Sequence, residues 1–228
     1  MPEILSAAQI AELQQYSSCS IANAIETFNI RPRNVGFMSH EIKCMFPEMP
    51  PMVGYAFTAR IRASFEAKRT PDVWEYRRAV QTAAAPKIMV IEDEDDVPIG
   101  SYWGEVNGSI HKALGCVGTI TNGGVRDLNE ARAMGFHFFA RTVLVSHAYV
   151  HLREWSIPIN VGGMLVRNGD LLHADQHGIV QIPHEIAAKV AAATAEVERK
   201  ERIVISAARD PNFSIEKLQA AYQEMRGY

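Results

Sequence analysis

The spacing of apolar positions predicts that the chain begins with helices. Within residues 1–30 the apolar side chains recur every three or four positions, as they do on one face of a helix. Ser17 and Ser18 interrupt this pattern with hydroxyls that can cap a second helix. We therefore predict two N-terminal helices, with apolar faces formed by Ile4, Leu5, Ala8, Ala11 and Leu13 and by Ile21, Ala22, Ala24, Ile25 and Phe28.

Between residues 53 and 140 the pattern changes to short apolar runs that alternate with helical spacing. A proline-rich connection over residues 31–51 precedes this part of the chain, and connections of that length are often functional. Alternation of strands and helices indicates a parallel sheet with right-handed crossovers. The predicted strands cover residues 53–61, 88–91, 117–120 and 137–140, and the predicted helices run from Pro71 to Ala84, over residues 109–114 and over residues 128–134, where Gly135 closes the last one.

After Pro158 the pattern changes again, to short strands separated by glycine-containing turns, which is typical of hairpins or a small β layer. Residues 185–209 are alanine-rich with charges at helical spacing, and Ser214 is placed to cap a final short helix. We predict one α/β domain over residues 1–228. It would consist of N-terminal helices (1–30), an α/β core (53–183) and C-terminal helices (184–228).

Composition and charge exclude several classes of protein. The chain has 228 residues, 47% of them hydrophobic, and a formal net charge of -3 without the strongly basic face that a nucleic-acid-binding protein needs. Cys19, Cys44 and Cys116 lie far apart and outside any zinc-binding spacing. Neither a secretion signal nor an apolar run of membrane-spanning length is recognisable. We expect a cytoplasmic protein with no nucleic-acid partner and no membrane contact.

The segment of residues 121–127, Thr-Asn-Gly-Gly-Val-Arg-Asp, is the first candidate active site. It follows a predicted buried strand, where open α/β sheets bind ligands, and Gly123 and Gly124 would let the backbone turn sharply and approach a ligand. Arg126 could bind a carboxylate, and Asp127 could hold a hard divalent cation. The alternative is that Asp127 is an ordinary helix N-cap in a capping box with Glu130, and the two interpretations are compatible.

A second candidate segment, residues 102–108, also precedes a predicted helix and lies beyond a strand end. Its backbone N–H groups could form an anion cradle, and Glu105 could add a second carboxylate near the metal. Taken alone, Glu105 is equally compatible with a solvated loop acid.

Two further groups are weaker candidates. His147 and His151 would share a helix face if that stretch were helical, but no zinc-protease signature accompanies them. The acidic run of residues 92–96 is more typical of a solvated loop than of a cation site, because consecutive acids repel and point in different directions.

An ordered series of motifs resembles a known family. The series includes residues 53–58, residues 103–105, the glycine-rich segment of residues 115–127, Pro158-Ile159-Asn160-Val161-Gly162-Gly163, Asn168-Gly169-Asp170 and residues 174–183. Together these motifs resemble the 4-hydroxy-4-methyl-2-oxoglutarate aldolases and their relatives, the regulators of ribonuclease E activity. The resemblance covers most of residues 15–205.

The resemblance implies a swivelling β/β/α fold that assembles as a homotrimer or homohexamer with active sites between subunits. By position, Asp127 would bind Mg²⁺ or Mn²⁺, and Glu105 would act through a metal-bound water. Arg126 would bind the pyruvyl end of the substrate, and the Gly104 segment with the N–H groups of Val106 and Asn107 would hold its carboxylate. Glu201 matches a late acidic residue that approaches the metal, through water, from a neighbouring subunit.

The implied chemistry is cleavage of a 4-hydroxy-2-oxo acid to pyruvate. A divalent cation bound to the 2-oxo acid stabilises the enolate left when the C3–C4 bond breaks, and Arg126 adds positive charge. Decarboxylation of oxaloacetate yields the same enolate, so that activity is expected too. The absence of lysine between Lys112 and Lys189 agrees with a mechanism that needs no Schiff base.

The chain departs from the family pattern in three places, and an alternative function remains open. Asn23 stands where many relatives have Asp, residues 65–78 are unusually long and charged, and residues 147–155 are not the typical loop. We expect these regions to shape the substrate pocket. The alternative is a non-catalytic protein that binds and regulates a ribonuclease. The combination of Glu105 and Glu201 favours the enzyme.

Overall fold

The computed structural model describes residues 4–227. Residues 1–3 and 228, at the outer boundaries of the predicted domain, lie outside the described residues. Helix α1 (Ala7–Leu13) begins with a capping box between Ser6 and Gln9, and helix α2 (Ser18–Glu26) is capped by the side chain of Ser17. The prediction of two N-terminal helices separated at Ser17 is therefore confirmed.

The remaining elements follow the predicted alternation through the middle of the chain. The strands are β1 (Lys43–Cys44), β2 (Met52–Arg62), β3 (Lys87–Asp93), β4 (Ser101–Trp103), β5 (Cys116–Val125), β6 (His137–Val143), β7 (His151–Trp155), β8 (Ile159–Val161), β9 (Met164–Val166), β10 (Leu171–Asp175) and β11 (Gly178–Ile182). The helices are α3 (Val73–Thr82), α4 (Glu105–Ala113), α5 (Leu128–Ala133), α6 (Ala187–Ala208) and α7 (Ile215–Gly227).

Strands β2, β3, β5 and β6 form the predicted parallel sheet. Each neighbouring pair is parallel, and helices α3, α4 and α5 lie in the crossover connections. Strand β10 extends the sheet antiparallel to β2, with β11 beside it, and β7 also pairs antiparallel with β2. The hairpins predicted after Pro158 are present as β8–β9 and β10–β11.

Apolar side chains bury both faces of this sheet. On one side the N-terminal helices and α6 pack over the β2, β10 and β11 strands, with a buried cluster that includes Leu13, Ile21 and Val190. A second cluster on the same face contains the large aromatic side chains, among them Trp103 and Tyr76, between the central strands and helices α3 to α5. The opposite face is buried by a third cluster, which includes Val90 of β3 and Val161 of β8. None of the helices in the described part of the chain is both long and apolar enough to cross a membrane.

Two predicted local structures are wrong, and a condition set for a weak candidate site is not met. The fourth helix begins at Glu105 rather than near Ser109. Residues 121–125 continue strand β5 instead of forming a turn. The stretch with His147 and His151 is a loop followed by strand β7, so the two histidines do not share a helix face.

Candidate active site at the start of two helices

Strand β4 brings the starts of helices α4 and α5 side by side. It pairs in parallel with the last residues of β5, with Ser101 opposite Gly124 and Trp103 opposite Val125. The Arg126 N–H donates to the Trp103 carbonyl oxygen at 3.0 Å. The chain leaving β4 and the chain leaving β5 therefore run together into their helices, and we refer to this meeting point, residues 104–107 and 126–127, as the junction.

The Asp127 carboxylate connects the two sides of the junction. Its Oδ2 accepts a hydrogen bond from the Glu105 N–H at 2.9 Å. Asp127 occupies the N-cap position of α5 in a left-handed conformation, φ 53° and ψ 48°, and its side chain makes no cap hydrogen bond there. The capping-box interpretation with Glu130 is therefore wrong, because the carboxylate turns toward the N-terminus of α4, where negative charge is favourable.

Gly104 leaves the space that this arrangement needs. A Cβ atom on residue 104 would lie 2.4 Å from Asp127 Oδ2 and 3.1 Å from Arg126 Nε. Its backbone is extended, with φ -161°, so the restriction comes from space and not from conformation. The Arg126 and Asp127 side chains lie beside each other, with 3.7 Å between Arg126 Nε and Asp127 Oδ2, and each is 36% exposed.

The first turn of α4 supplies unpaired N–H groups next to these side chains. The Gly108 N–H begins the helical pattern by donating to the Gly104 carbonyl. Among the described residues, no protein acceptor is found for the N–H groups of Val106 and Asn107. Val106 is also 70% exposed. The junction thus presents two free donors beside a guanidinium group, as an anion-binding site requires.

Gly123 and Gly124, predicted to form a turn, lie in strand β5 where neighbouring side chains leave no space for a Cβ atom. A Cβ on Gly123 would lie 2.9 Å from Asp93 Oδ2, and one on Gly124 would lie 2.4 Å from a Leu144 methyl carbon. Neither glycine has a positive φ. The prediction that they bend the backbone toward a ligand is therefore wrong.

Asn122 also belongs to the sheet. Its side-chain amide bonds the backbone of Asp93 at both ends, with the Asp93 N–H donating to Oδ1 at 2.7 Å and Nδ2 donating to the Asp93 carbonyl at 2.9 Å. This contact continues the pairing of β5 with β3 by side-chain hydrogen bonds, because the backbone pairing of the two strands ends at Ile91 and Thr121. Of the predicted seven-residue segment, Arg126 and Asp127 are the side chains that reach the junction.

Most of the acidic run of residues 92–96 is not a solvated loop, because its first two residues belong to β3 and Glu92, Glu94 and Asp95 pair with arginines, whereas Asp96 is exposed. Arg60 Nε lies 2.8 Å from Glu92 Oε2, and Arg62 Nε lies 3.5 Å from Asp95 Oδ1. Asp93 is buried, and its Oδ2 makes no hydrogen bond. Burial, with a smaller contribution from neighbouring acids, raises the pKa of Asp93 to about 6.

The carboxylates at the junction fit a cation that keeps most of its water ligands. No group of three or more potential ligands of the His, Cys, Asp or Glu type occurs within residues 4–227. Within the part of the chain that the structure describes, no hydrogen bond is found for Asp127 Oδ1 or for the side chain of the adjacent, exposed Glu105. Mg²⁺ is commonly bound through one or two carboxylates, with water completing its octahedral shell.

Glu201 lies on α6, where its Oε1 accepts a hydrogen bond from Asn23 Nδ2 at 3.3 Å. Its predicted role is to approach the metal of a neighbouring subunit, and that role stays a prediction. The partner in this contact, Asn23, is one of the positions at which the chain departs from the family pattern.

Comparison with known proteins agrees with the order of motifs in the sequence. The model of the RraA-like family, described as Aldolase/RraA, matches residues 18–181. The chain belongs to this family. The matched region contains the whole junction and every strand that positions it, so the α/β fold expected from the resemblance is confirmed.

Individual relatives of this RraA-like chain are distant. A Halalkalibacterium halodurans protein named "Putative 4-hydroxy-4-methyl-2-oxoglutarate aldolase" is 26% identical over 132 residues, which cover 56% of this chain and 62% of the relative. An Arabidopsis thaliana protein with the same name and the number 3 is 28% identical over 106 residues, 46% of this chain and 63% of its own length. The chain thus spans less than two thirds of these relatives.

Solved structures show the same fold. An uncharacterized protein from Pseudomonas syringae pv. tomato superposes with a TM-score of 0.74 at 20% identity, covering 98% of this chain and 97% of that one. Streptomyces coelicolor RraAS2, described as an unusual member of the RNase ES inhibitor RraA protein family, gives a TM-score of 0.69 at 18% identity, covering 87% and 97%.

Sequence reasoning missed two residues behind the junction of this RraA-like protein. His111 Nδ1 lies 2.7 Å from the Asn107 carbonyl oxygen, and His111 Nε2 lies 2.9 Å from the Tyr76 hydroxyl. Both side chains are buried. The signal was the four-residue spacing between Asn107 and His111, which places them one helical turn apart once α4 is known to begin at Glu105.

Proposed function

We propose that this RraA-like protein is a divalent-metal-dependent carbon–carbon lyase that cleaves a 4-hydroxy-2-oxo acid, such as 4-hydroxy-4-methyl-2-oxoglutarate, and releases pyruvate. The observation that carries the proposal is the junction. It combines the carboxylate of Asp127, the guanidinium of Arg126 and two unpaired N–H groups at the start of α4. A 2-oxo acid has complementary chemistry, with a carboxylate next to a carbonyl.

The protein groups would bind the two ends of the pyruvyl unit. The N–H groups of Val106 and Asn107 would donate to the substrate carboxylate, aided by the positive end of the α4 dipole. Arg126 would lie at the carbonyl oxygen. Because negative charge grows on that oxygen when the C3–C4 bond breaks, a fixed guanidinium there favours the transition state over the ground state.

The acidic residues would hold the cation. Asp127 would be the direct ligand, with Glu105 contacting it through water and Glu201 of a neighbouring subunit doing the same. When bound, Mg²⁺ or Mn²⁺ would supply positive charge to the carbonyl and carboxylate oxygens of the substrate. Gly104 keeps the carboxylate and the guanidinium close enough to act on one small ligand.

Oxaloacetate is expected to be a second substrate. Loss of its C4 carboxyl group as carbon dioxide leaves the electron pair of the C3–C4 bond on the pyruvyl unit, as aldol cleavage does. The same arginine and N–H groups therefore serve both reactions.

The family name also includes a regulator, and the Streptomyces neighbour is described as a ribonuclease inhibitor protein. Binding to a ribonuclease is the alternative function. The exposed Glu105 beside Asp127 favours the enzyme, because a docking surface has no need of two adjacent carboxylates that offer free oxygens to a cation.

The decisive experiment measures pyruvate release from 4-hydroxy-4-methyl-2-oxoglutarate and from oxaloacetate, with Mg²⁺ or Mn²⁺ and then with excess chelator. We expect turnover that chelation abolishes and that Asp127→Ala lowers by at least about 100-fold. Asp210→Ala is the matched control, because the Asp210 carboxylate also accepts a backbone N–H, that of Asn212, in the turn between α6 and α7. Turnover that survives chelation, or equals wild type in Asp127→Ala, would contradict the metal role. Absence of turnover combined with inhibition of a ribonuclease would support the alternative.

A further inference from the structure

Asn107 is held by its carbonyl oxygen and by its side chain, which leaves its N–H group free. Its side-chain Nδ2 donates to the Tyr102 carbonyl oxygen at 2.7 Å. Its own carbonyl oxygen lies 2.7 Å from His111 Nδ1. These two contacts hold Asn107 from both sides and so fix the orientation of the Val106–Asn107 peptide, which carries the free N–H group, at the junction.

The hydrogen atoms of this network can be assigned from its chemistry. A carbonyl oxygen only accepts, so His111 Nδ1 must carry the hydrogen that it donates to Asn107. The lone pair of neutral His111 is then on Nε2, where the Tyr76 hydroxyl donates at 2.9 Å. Burial lowers the pKa of His111 to about 4, so the ring stays neutral near pH 7 and the pattern is stable.

The network extends from the junction to a part of the chain that departs from the family pattern. Tyr76 lies on α3, within the charged segment of residues 65–78, and is fully buried. Its ring contacts Phe57 and Trp155 edge-on, at centroid distances of 6.1 and 5.8 Å. These contacts hold the Tyr76 ring and therefore the position of its hydroxyl. The hydrogen bond from this hydroxyl in turn holds the orientation of the His111 ring.

We propose that Tyr76 and His111 are positioning residues that orient the first turn of α4, so that the Asn107 N–H group meets the carboxylate of a 2-oxo acid. This inference rests on the proposed function and identifies residues outside the junction that set its affinity for the substrate. The pair touches neither the substrate nor the cation. Its effect would reach the ligand through Asn107, which contacts His111 through its carbonyl oxygen and Tyr102 through its side chain.

Tyr76→Phe tests the inference, because it removes one hydroxyl and keeps the buried ring. We expect the KM for oxaloacetate to rise about 10-fold while kcat stays within about twofold, since a binding contact made equally in the ground and transition states is weakened. The matched control is Tyr55→Phe. The Tyr55 hydroxyl accepts a buried hydrogen bond from the Leu5 N–H, on the side of the sheet covered by the N-terminal helices. We expect that variant to keep the wild-type KM.

A second measurement needs no variant. In the wild-type protein at pH 7, the ¹⁵N shifts of the His111 ring should show a protonated Nδ1 and an unprotonated Nε2, and the Val106 and Asn107 amides should shift when pyruvate is added with Mg²⁺. In Tyr76→Phe the same amide shifts should need about tenfold more pyruvate.

The outcomes separate this inference from the proposed function. Equal KM values for wild type and Tyr76→Phe, or the same rise in Tyr55→Phe, would overturn the positioning role while leaving the lyase intact. An Nε2-protonated His111 would overturn it as well. A wild-type protein that neither turns over a 2-oxo acid nor shifts its amides with pyruvate would overturn both.

Discussion

At the scale of single residues, Asp127 shows how one position can satisfy a helix terminus and still offer an oxygen to a ligand. Its backbone adopts a left-handed conformation that is uncommon outside glycine, asparagine and aspartate. That conformation sends the carboxylate across to the Glu105 N–H instead of back to α5. One carboxylate oxygen is used in this contact, and the other is free to bind a cation.

Gly104→Ala is expected to lower kcat/KM for pyruvate release by about 100-fold, because the added Cβ would displace Asp127 Oδ2 and misplace the reacting groups. The measurement is steady-state turnover alongside the thermal unfolding midpoint. Gly108→Ala is the control on the same helix, since its Cβ would meet Met134 at an ordinary 3.4 Å. Equal activity in the two variants would show that the space at Gly104 is unimportant.

The residues of the proposed site could be selected from the sequence because their types and order are distinctive. Arg126, Asp127 and Glu105 follow short apolar runs, and this placed them at strand ends. The reason for glycine at positions 123 and 124 could not be predicted from the sequence. Their neighbours, Asp93 and Leu144, come from other strands, and only the packed sheet shows that a side chain would collide with them.

At the scale of elements, the end of β5 changes partners. Its register shifts between Thr121 and Gly124, and beyond that point β4 occupies the side of β5 that β3 occupied before. At the end of β3, the Asn122 side chain forms two hydrogen bonds with the backbone of Asp93, where strand pairing with β5 has ended. The change of partner is what allows α4 to begin beside α5.

The carboxyl group of Asp93, the last residue of β3, should make the folding stability depend on pH. Burial raises the pKa of folded Asp93 to about 6, so the folded chain binds more protons than the unfolded chain between about pH 4 and 6, and stability falls as the pH rises through that window. Asp93→Asn lacks this titration. The free energy of unfolding of Asp93→Asn minus that of wild type should therefore be about 2–3 kcal/mol larger at pH 8 than at pH 4.

Chemical denaturation of both proteins across pH 4–8 measures this difference, in which the titration of groups common to both cancels. A difference that does not change with pH would show that Asp93 titrates as an exposed carboxyl does. Substrate affinity near neutral pH serves as a check that the junction is preserved in the variant.

Elements marked by a local pattern could be predicted, and an element that depends on a distant partner could not. Helix α6 has charges at helical spacing, the central strands are compact apolar runs, and glycine-containing turns mark the short hairpins after Pro158. Strand β4 has three residues, too few for a period, and its existence depends on pairing with β5. Helix α4 begins after Gly104, which has no side chain to mark a cap, so the sequence placed its start too late.

At the scale of the whole molecule, the loop between β6 and β7 leaves apolar side chains exposed close to the junction. Val145 is 95% exposed and Tyr149 is 61% exposed. The loop begins where the Leu144 N–H donates to the Val125 carbonyl, directly before Arg126. Because the family resemblance leads us to expect an oligomer, we propose Val145 as a residue of the contact between subunits.

Sedimentation of the purified protein is expected to give three or six times the chain mass of 25.3 kDa. Val145→Asp should shift the distribution to lower mass and reduce turnover with it, because a buried charge without a partner opposes association. Val145→Thr, of nearly the same shape, should retain the assembly. A wild-type monomer with full activity would contradict both the oligomer and the role of Glu201.

The contact between Glu105 and Asp127 also has a consequence for folding. It joins residues 22 positions apart, whereas the hydrogen bond from His173 to Leu13 joins residues 160 apart. The entropy lost on closing a loop grows with the logarithm of its length, by about 0.6 kcal/mol for each doubling. The junction is therefore a local structure, and its formation does not have to wait for the two ends of the chain to meet.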